Sequence, residues 1–193
     1  MKPSTIKNKP FHVAVYCSAA EGIRADWIDA AAAIGRWIGS NGATLVYGGV
    51  GAGLMKVVAH EVKNLQSKIV GIVPTRRLSA ASPLNDLQIP SADLNDRKAT
   101  MQLLSDVFVV LPGGYGTIDE MMTAFAYINF TGERSKRIVM YNPSGLFDSL
   151  IAQFNTFIEA GLMARRCLDC LIIENTIEGL LASLDRIKET YEK

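Results

Sequence analysis

Apolar positions along the chain fall into two alternating kinds of segment. Short runs rich in Val and Ile are apolar at nearly every position, as strands buried on both faces are. They predict strands at Val13–Cys17, Thr44–Tyr47, Lys68–Val73, Val107–Leu111, Arg137–Tyr141 and Leu171–Ile173. Between them lie longer stretches in which apolar residues recur every three or four positions, the spacing of a helix face. These predict helices at Asp26–Ser40, Leu54–Gln66, Asp93–Leu104, Thr117–Phe130, Leu146–Gly161 and Ile177–Tyr191.

Strands apolar on both faces need cover on both faces, and alternating helices supply it. The pattern predicts an α/β fold, a Rossmann-like doubly wound parallel sheet with helices on both faces, as one domain over residues 11–193. The longest irregular stretch is Pro74–Pro90, with three prolines. It reads either as functional, a lid or a pocket rim, or as a mobile connection with no role.

Composition narrows the partners. With 193 residues, 49% hydrophobic and 20% charged, the chain is globular. A net charge of +1 gives no bulk attraction to nucleic acid or to an anionic membrane, so neither is expected as a partner. Any anion must be held by a local site. No stretch approaches the ~20 apolar residues of a membrane span. The opening MKPSTIKNKP has no apolar signal core, so residues 1–10 are expected to be a polar tail on a cytoplasmic protein. Cys17, Cys167 and Cys170 are too few for a disulfide framework. The pair Cys167 and Cys170 has no further ligands spaced for a metal, His12 and His60 included.

In a doubly wound sheet, ligands bind beyond the carboxyl ends of the strands. The first strand ends in small residues around Ser18, whose hydroxyl can approach a ligand or merely help a turn. The second ends in Gly48, Gly49, Gly51 and Gly53, which matches neither the dinucleotide fingerprint nor a P-loop. The fourth ends in Pro112-Gly113-Gly114-Tyr115-Gly116-Thr117-Ile118-Asp119-Glu120. Free amides at a helix start, with the positive end of the helix dipole, make a phosphate site of Gly113, Gly114, Tyr115, Gly116 and Thr117. The same residues also read as a tight turn whose Thr117 and Glu120 form a capping box.

Leu94, Met101 and Leu104 mark an inward stripe on the preceding helix, and Arg97 falls within it. Arg97 either bridges a protein carboxylate or meets an anionic substrate. Lys98, one step round, is expected near solvent. Glu120, placed in a first helical turn, is expected to stay ionised because the dipole favours its charge. Trp27 and Trp37 read as core, and Glu133–Arg137 as a solvated loop.

Together these residues carry a resemblance. The segment Pro112–Glu120 resembles the P-G-G-x-G-T-x-x-E motif of the Lonely Guy family, cytokinin-activating phosphoribohydrolases often labelled lysine decarboxylases. Arg97-Lys98-x-x-Met101 resembles the family's R-K-x-x-M helix, and Gly48-Gly49 through Gly53-Leu54-Met55 its second glycine loop. Where the family has glycines, this chain has Val50 and Lys56. The resemblance implies hydrolysis of a nucleoside 5'-monophosphate, such as a cytokinin ribotide or AMP, to free base and ribose 5-phosphate. It implies Arg97 and Glu120 as catalytic residues, with Ser18, Gly48, Gly49, Lys98 and Gly113–Thr117 binding substrate. It further implies no metal, no organic cofactor, and a homodimer with shared active sites. An apolar helical surface around Met121, Met122, Phe125 and Tyr127 is expected to serve that dimer. The alternative is a non-catalytic binding protein for a phosphate-bearing ligand, since molybdenum-cofactor carriers resemble this fold and loop.

Overall fold

The computed structural model describes residues 10–192. Apart from Pro10, the polar tail expected over residues 1–10 therefore lies outside the described residues. The strands are β1 (His12–Tyr16), β2 (Thr44–Tyr47), β3 (Ile69–Pro74), β4 (Leu87–Ser91), β5 (Val107–Val110), β6 (Arg137–Tyr141) and β7 (Leu171–Glu174). The helices are α1 (Ala25–Ser40), α2 (Gly53–Asn64), α3 (Leu94–Leu104), α4 (Tyr115–Thr131), α5 (Asp148–Glu159) and α6 (Ile177–Tyr191). All seven strands run parallel in one sheet, in the order β4-β3-β2-β1-β5-β6-β7.

The expected segments stand within two residues at each end; among the widest shifts, α2 ends at Asn64 instead of Gln66 and α4 starts at Tyr115 instead of Thr117. Pro74–Pro90 is not irregular throughout. It holds a 3-10 helix (Thr75–Ala80) and most of β4, an edge strand with Leu87 exposed. A half-exposed strand ending in Pro90-Ser91 shows no apolar run, so periodicity passes it over.

Side chains alternate across the sheet. Val13 and Val15 face a core closed by Ile34 and Ile38 of α1, Val58 and Val62 of α2, and Leu180 and Leu184 of α6. Ala14 and Tyr16 face the opposite core, closed by Met101 of α3, Met121 and Phe125 of α4, and Phe154 of α5. Trp37 is buried and donates from its indole to Asp185 (2.7 Å), and Trp27 packs against the same core. Chain order runs outward from β1 to β4, then returns to β5 on the other side of β1. That reversal opens a crevice at the carboxyl ends of β1 and β5. None of the described helices is long and apolar enough to cross a membrane.

Candidate active site

The turns that follow β1 and β5 are zipped together. The Leu111 amide donates to the Tyr16 carbonyl (2.9 Å) and the Ser18 amide to the Pro112 carbonyl (3.1 Å). The Ser18 carbonyl accepts from the Leu54 amide (2.9 Å) at the start of α2, and its hydroxyl accepts from the Ala20 amide (3.1 Å). Three elements therefore converge on Ser18.

Gly114 caps α4 without any side-chain hydrogen bond, and the first helical bond runs from the Ile118 amide to the Gly114 carbonyl (3.1 Å). The amides of Tyr115, Gly116 and Thr117 are thus left without helical acceptors. Thr117 is buried, and a Cβ at position 113 would lie 2.0 Å from its Oγ1 and 3.1 Å from the Ser18 amide nitrogen. Only glycine fits there, and the close approach gathers amides, hydroxyl and positive dipole end into one cradle whose chemistry suits an anion. The Tyr115 ring stands in solvent. With Gly114 as cap, Thr117 is the third helical residue and Glu120 lies in the second turn, so the two do not form a capping box. A related arrangement opens α3 instead: Asp93 accepts from the Asn95 and Asp96 amides (2.8 and 2.9 Å), and Asp96 from the Ala92 amide (2.7 Å).

Arg97 sits one turn before buried Met101 on the inward face of α3. Leu94 and Leu104, on the same side at the two ends of the helix, are exposed, so the expected buried stripe narrows to Met101. The Arg97 Nε donates to the Ile72 carbonyl of β3 (3.1 Å), and its Nη2 lies 3.2 Å from Glu120 Oε1. A Cβ at position 48 would lie 2.0 Å from that Nη2, so Gly48 gives the guanidinium its space. Gly49 acts through its backbone. Its carbonyl accepts from the Ser82 amide (2.7 Å) and the Asn85 side chain (3.1 Å), anchoring the β3–β4 connection. The connection is thereby tied against the second glycine loop, and Val50 bridges to Ala81.

Glu120 is buried, its side chain 8% exposed. Burial pushes its carboxyl up from 4.5 to about 7; the Arg97 charge opposes this, Asp119 adds to it and Lys98 opposes it. This overturns the expectation of a permanently ionised Glu120. A second-turn position gains little from the dipole, whose influence falls off beyond the first turn, and desolvation outweighs a single bridge. Lys98 does not face solvent: its side chain is 12% exposed and its Nζ lies 2.8 Å from both Asp119 oxygens.

Tyr16 and Cys17, both buried, are held well above their ordinary values by burial and then by the Glu120 charge. Sequence reasoning named neither as part of this site; the available signal was their place at the carboxyl end of a central strand. Lys56 lines a groove of about 400 Å³ between the β1–α1 turn and α2, with Glu21, Ile28, Val57 and His60. Cys167 and Cys170 are free thiols on the 3-10 helix Arg165–Cys170. Met121 and Phe125 are buried in the protein's own core, with Phe125 stacked on Phe154 (centroids 5.2 Å apart), so they form no outer surface. The exposed apolar residues of α3 and α4 include Leu103 and Phe130.

This geometry has relatives. A family model described as "Possible lysine decarboxylase" matches residues 55–184. A cytokinin riboside 5'-monophosphate phosphoribohydrolase of Mycobacterium tuberculosis is 34% identical over 171 residues, covering 88% of this chain and 90% of that protein. One from Oryza sativa subsp. japonica is 30% identical over 183 residues, covering 93% and 75%. Among solved structures, the molybdenum cofactor binding protein of Rippkaea orientalis superposes with a TM-score of 0.73 at 20% identity, covering 93% of this chain and 98% of that one, a likeness of fold. Residues 55–184 hold the Arg97 helix, the Gly113–Thr117 cradle and Glu120, and with the M. tuberculosis match they settle the lineage: the chain belongs to the Lonely Guy family of phosphoribohydrolases.

Proposed function

We propose that the protein hydrolyses the N-glycosidic bond of a nucleoside 5'-monophosphate, a cytokinin ribotide or AMP, to free base and ribose 5-phosphate. The observation that carries this reading is the buried Glu120–Arg97 pair, set one helical turn from the anion cradle. Thr117 and Glu120 are three residues apart on α4, hence neighbours on one face. A 5'-phosphate at the α4 amides therefore lays its ribose toward Glu120. Cleavage passes through an oxocarbenium-like state. In its carboxylate form Glu120 stabilises that positive charge and takes a proton from the attacking water, while the departing base keeps the electron pair of the broken C1'–N bond and takes up a proton from solvent. A carboxyl balanced near neutrality is suited to proton transfer at working pH. Arg97 orients Glu120 and reaches the bound anion, and Lys98 is fixed by Asp119 at the same rim.

Leu103 and Phe130, exposed on α3 and α4, support pairing of two copies through these helices. The carrier alternative uses the cradle but gives the buried Glu120 nothing to do. Release of free base from AMP, followed by chromatography, separates the two. Wild type is expected to release base, and Glu120→Gln to lose on the order of 10²-fold or more in turnover while still binding AMP. Binding without release by the wild type supports the carrier, and a Gln variant at full rate removes Glu120 from the mechanism.

A further inference from the structure

A second basic site lies at the other end of the sheet. A cavity of about 150 Å³ is lined by Ile128 and Asn129 from the last turn of α4, Arg134 from the following loop, Arg137 at the start of β6, and Arg166, Asp169 and Cys170 from the 3-10 helix before β7. The amino ends of β6 and β7 border it, whereas the catalytic crevice opens at the carboxyl ends of β1 and β5.

Three arginines from three separate segments line it with a single carboxylate, Arg137 half-buried and Arg134, Arg166 and Asp169 exposed at its rim. Arg134 and Arg166 make no side-chain hydrogen bond or ion pair with any described residue, and neither does Asp169. Some cations of the fold are paired, Lys63 with Asp86, Lys98 with Asp119 and Lys136 with Glu133, so Arg134 and Arg166 differ from these in having their guanidiniums uncommitted beside a cavity. Arg137 is half-buried and its orientation is fixed, because its Nη1 donates to the carbonyls of Arg134 and Lys136 (2.9 Å to the latter). Asn129 does not compete for a ligand; its amide is spent on the carbonyls of Phe125 (3.0 Å) and Cys167 (3.2 Å) and on the Cys170 sulfur (3.7 Å).

We propose that Arg134, Arg137 and Arg166 form a second anion site that takes a phosphoryl group, either inorganic phosphate or the phosphate end of a small ester. Planar guanidiniums match the oxygens of a phosphate in paired hydrogen bonds, and three of them against one carboxylate select a doubly charged anion. The volume fixes the size of the guest. Pockets that enclose whole drug-sized molecules measure roughly 300–1,000 Å³, so this one holds the charged group and leaves any remainder outside.

The test is equilibrium binding of inorganic phosphate, and separately of ribose 5-phosphate, by calorimetry with chloride held at a constant excess. The catalytic cradle binds phosphate too, so two sets of variants divide the sites. Wild type is expected to bind two phosphates per chain. Arg134→Gln with Arg166→Gln should bind one, the lost event weakening about tenfold or more for each guanidinium removed. Gly113→Ala, or Thr117→Val should the first fail to fold, should keep the distal event and lose the other. Base release by the double Gln variant in phosphate-free buffer is expected at the wild-type rate. One phosphate per wild-type chain, or the same two events in the double Gln variant, overturns the proposal. A distal event with phosphate but not with ribose 5-phosphate assigns the site to the free ion, and equal binding assigns it to the shared phosphoryl group.

Discussion

Replacing Glu120 by Gln removes a side chain whose titration is itself coupled to folding. Its carboxyl is raised by burial from 4.5 to about 7 in the folded chain. In the unfolded chain it regains the ordinary value. Between those two pH values the native state holds a proton that the unfolded state has released, so stability falls as pH rises through the window. Each unit corresponds to about 1.4 kcal/mol, so the full difference is of order 3 kcal/mol above pH 7. The attraction of Arg97 is already contained in the raised value, as one of the influences opposing burial. Gln has no proton to lose, so the variant lacks this slope, and Tyr16 and Cys17, which the Glu120 charge also raises, are held protonated by burial through this range in both proteins. Urea or thermal denaturation of wild type and Glu120→Gln at pH 4.5 and pH 8 should show the difference shift by about 3 kcal/mol toward the variant at pH 8. For a chain of this size that is a relative gain of roughly 6–12 °C in Tm. A difference that stays flat would show that the Arg97 charge cancels desolvation, and one that turns toward wild type above pH 7 that it outweighs it.

Three further outcomes are expected. Gly48→Ala puts a methyl 2.0 Å from the Arg97 Nη2, and the displaced guanidinium should cost on the order of 10²-fold in base release; near wild-type rates would mean that Arg97 placement is not critical. Adenosine, lacking the phosphate for the α4 amides, should be cleaved far more slowly than AMP, and comparable rates would refute the cradle as the anchor. Light scattering at micromolar concentration should give about twice the 21.0 kDa chain mass, and a 21.0 kDa species alone would end the dimer reading.

Much of the fold was legible because buried parallel strands announce themselves. Val107–Val110 and Arg137–Tyr141 stand out as apolar runs wherever the sheet is covered on both faces. β4 was not legible for the complementary reason: at the sheet edge its residues meet water, and Leu87-Gln88-Ile89-Pro90-Ser91 has the composition of a loop. In the site, glycine spacing and an arginine on a helix pointed to Gly113, Thr117, Arg97 and Glu120. The bridge between Arg97 and Glu120 could not be read, because they lie on different helices and meet only when α3 and α4 pack on one face. Nor could the state of the Glu120 carboxyl. Local spacing suggested a helix start, but the carboxyl responds to burial beside Tyr16 and Cys17, which arrive from β1, roughly 100 positions earlier in the chain.

Pro90 gives the open flank of the sheet a further property. It pairs in register with Val73 and lies in the last strand on that side. Proline is tolerated in a strand where its missing N–H faces outward, so an approaching strand finds no donor at this position. An edge interrupted in this way is a poor template for adding another chain, and stacking of copies into a continuous ribbon is discouraged. With one flank closed in this way the sheet cannot extend through β4, and material that precipitates on mild heating should lack the cross-β signature of edge-templated aggregates.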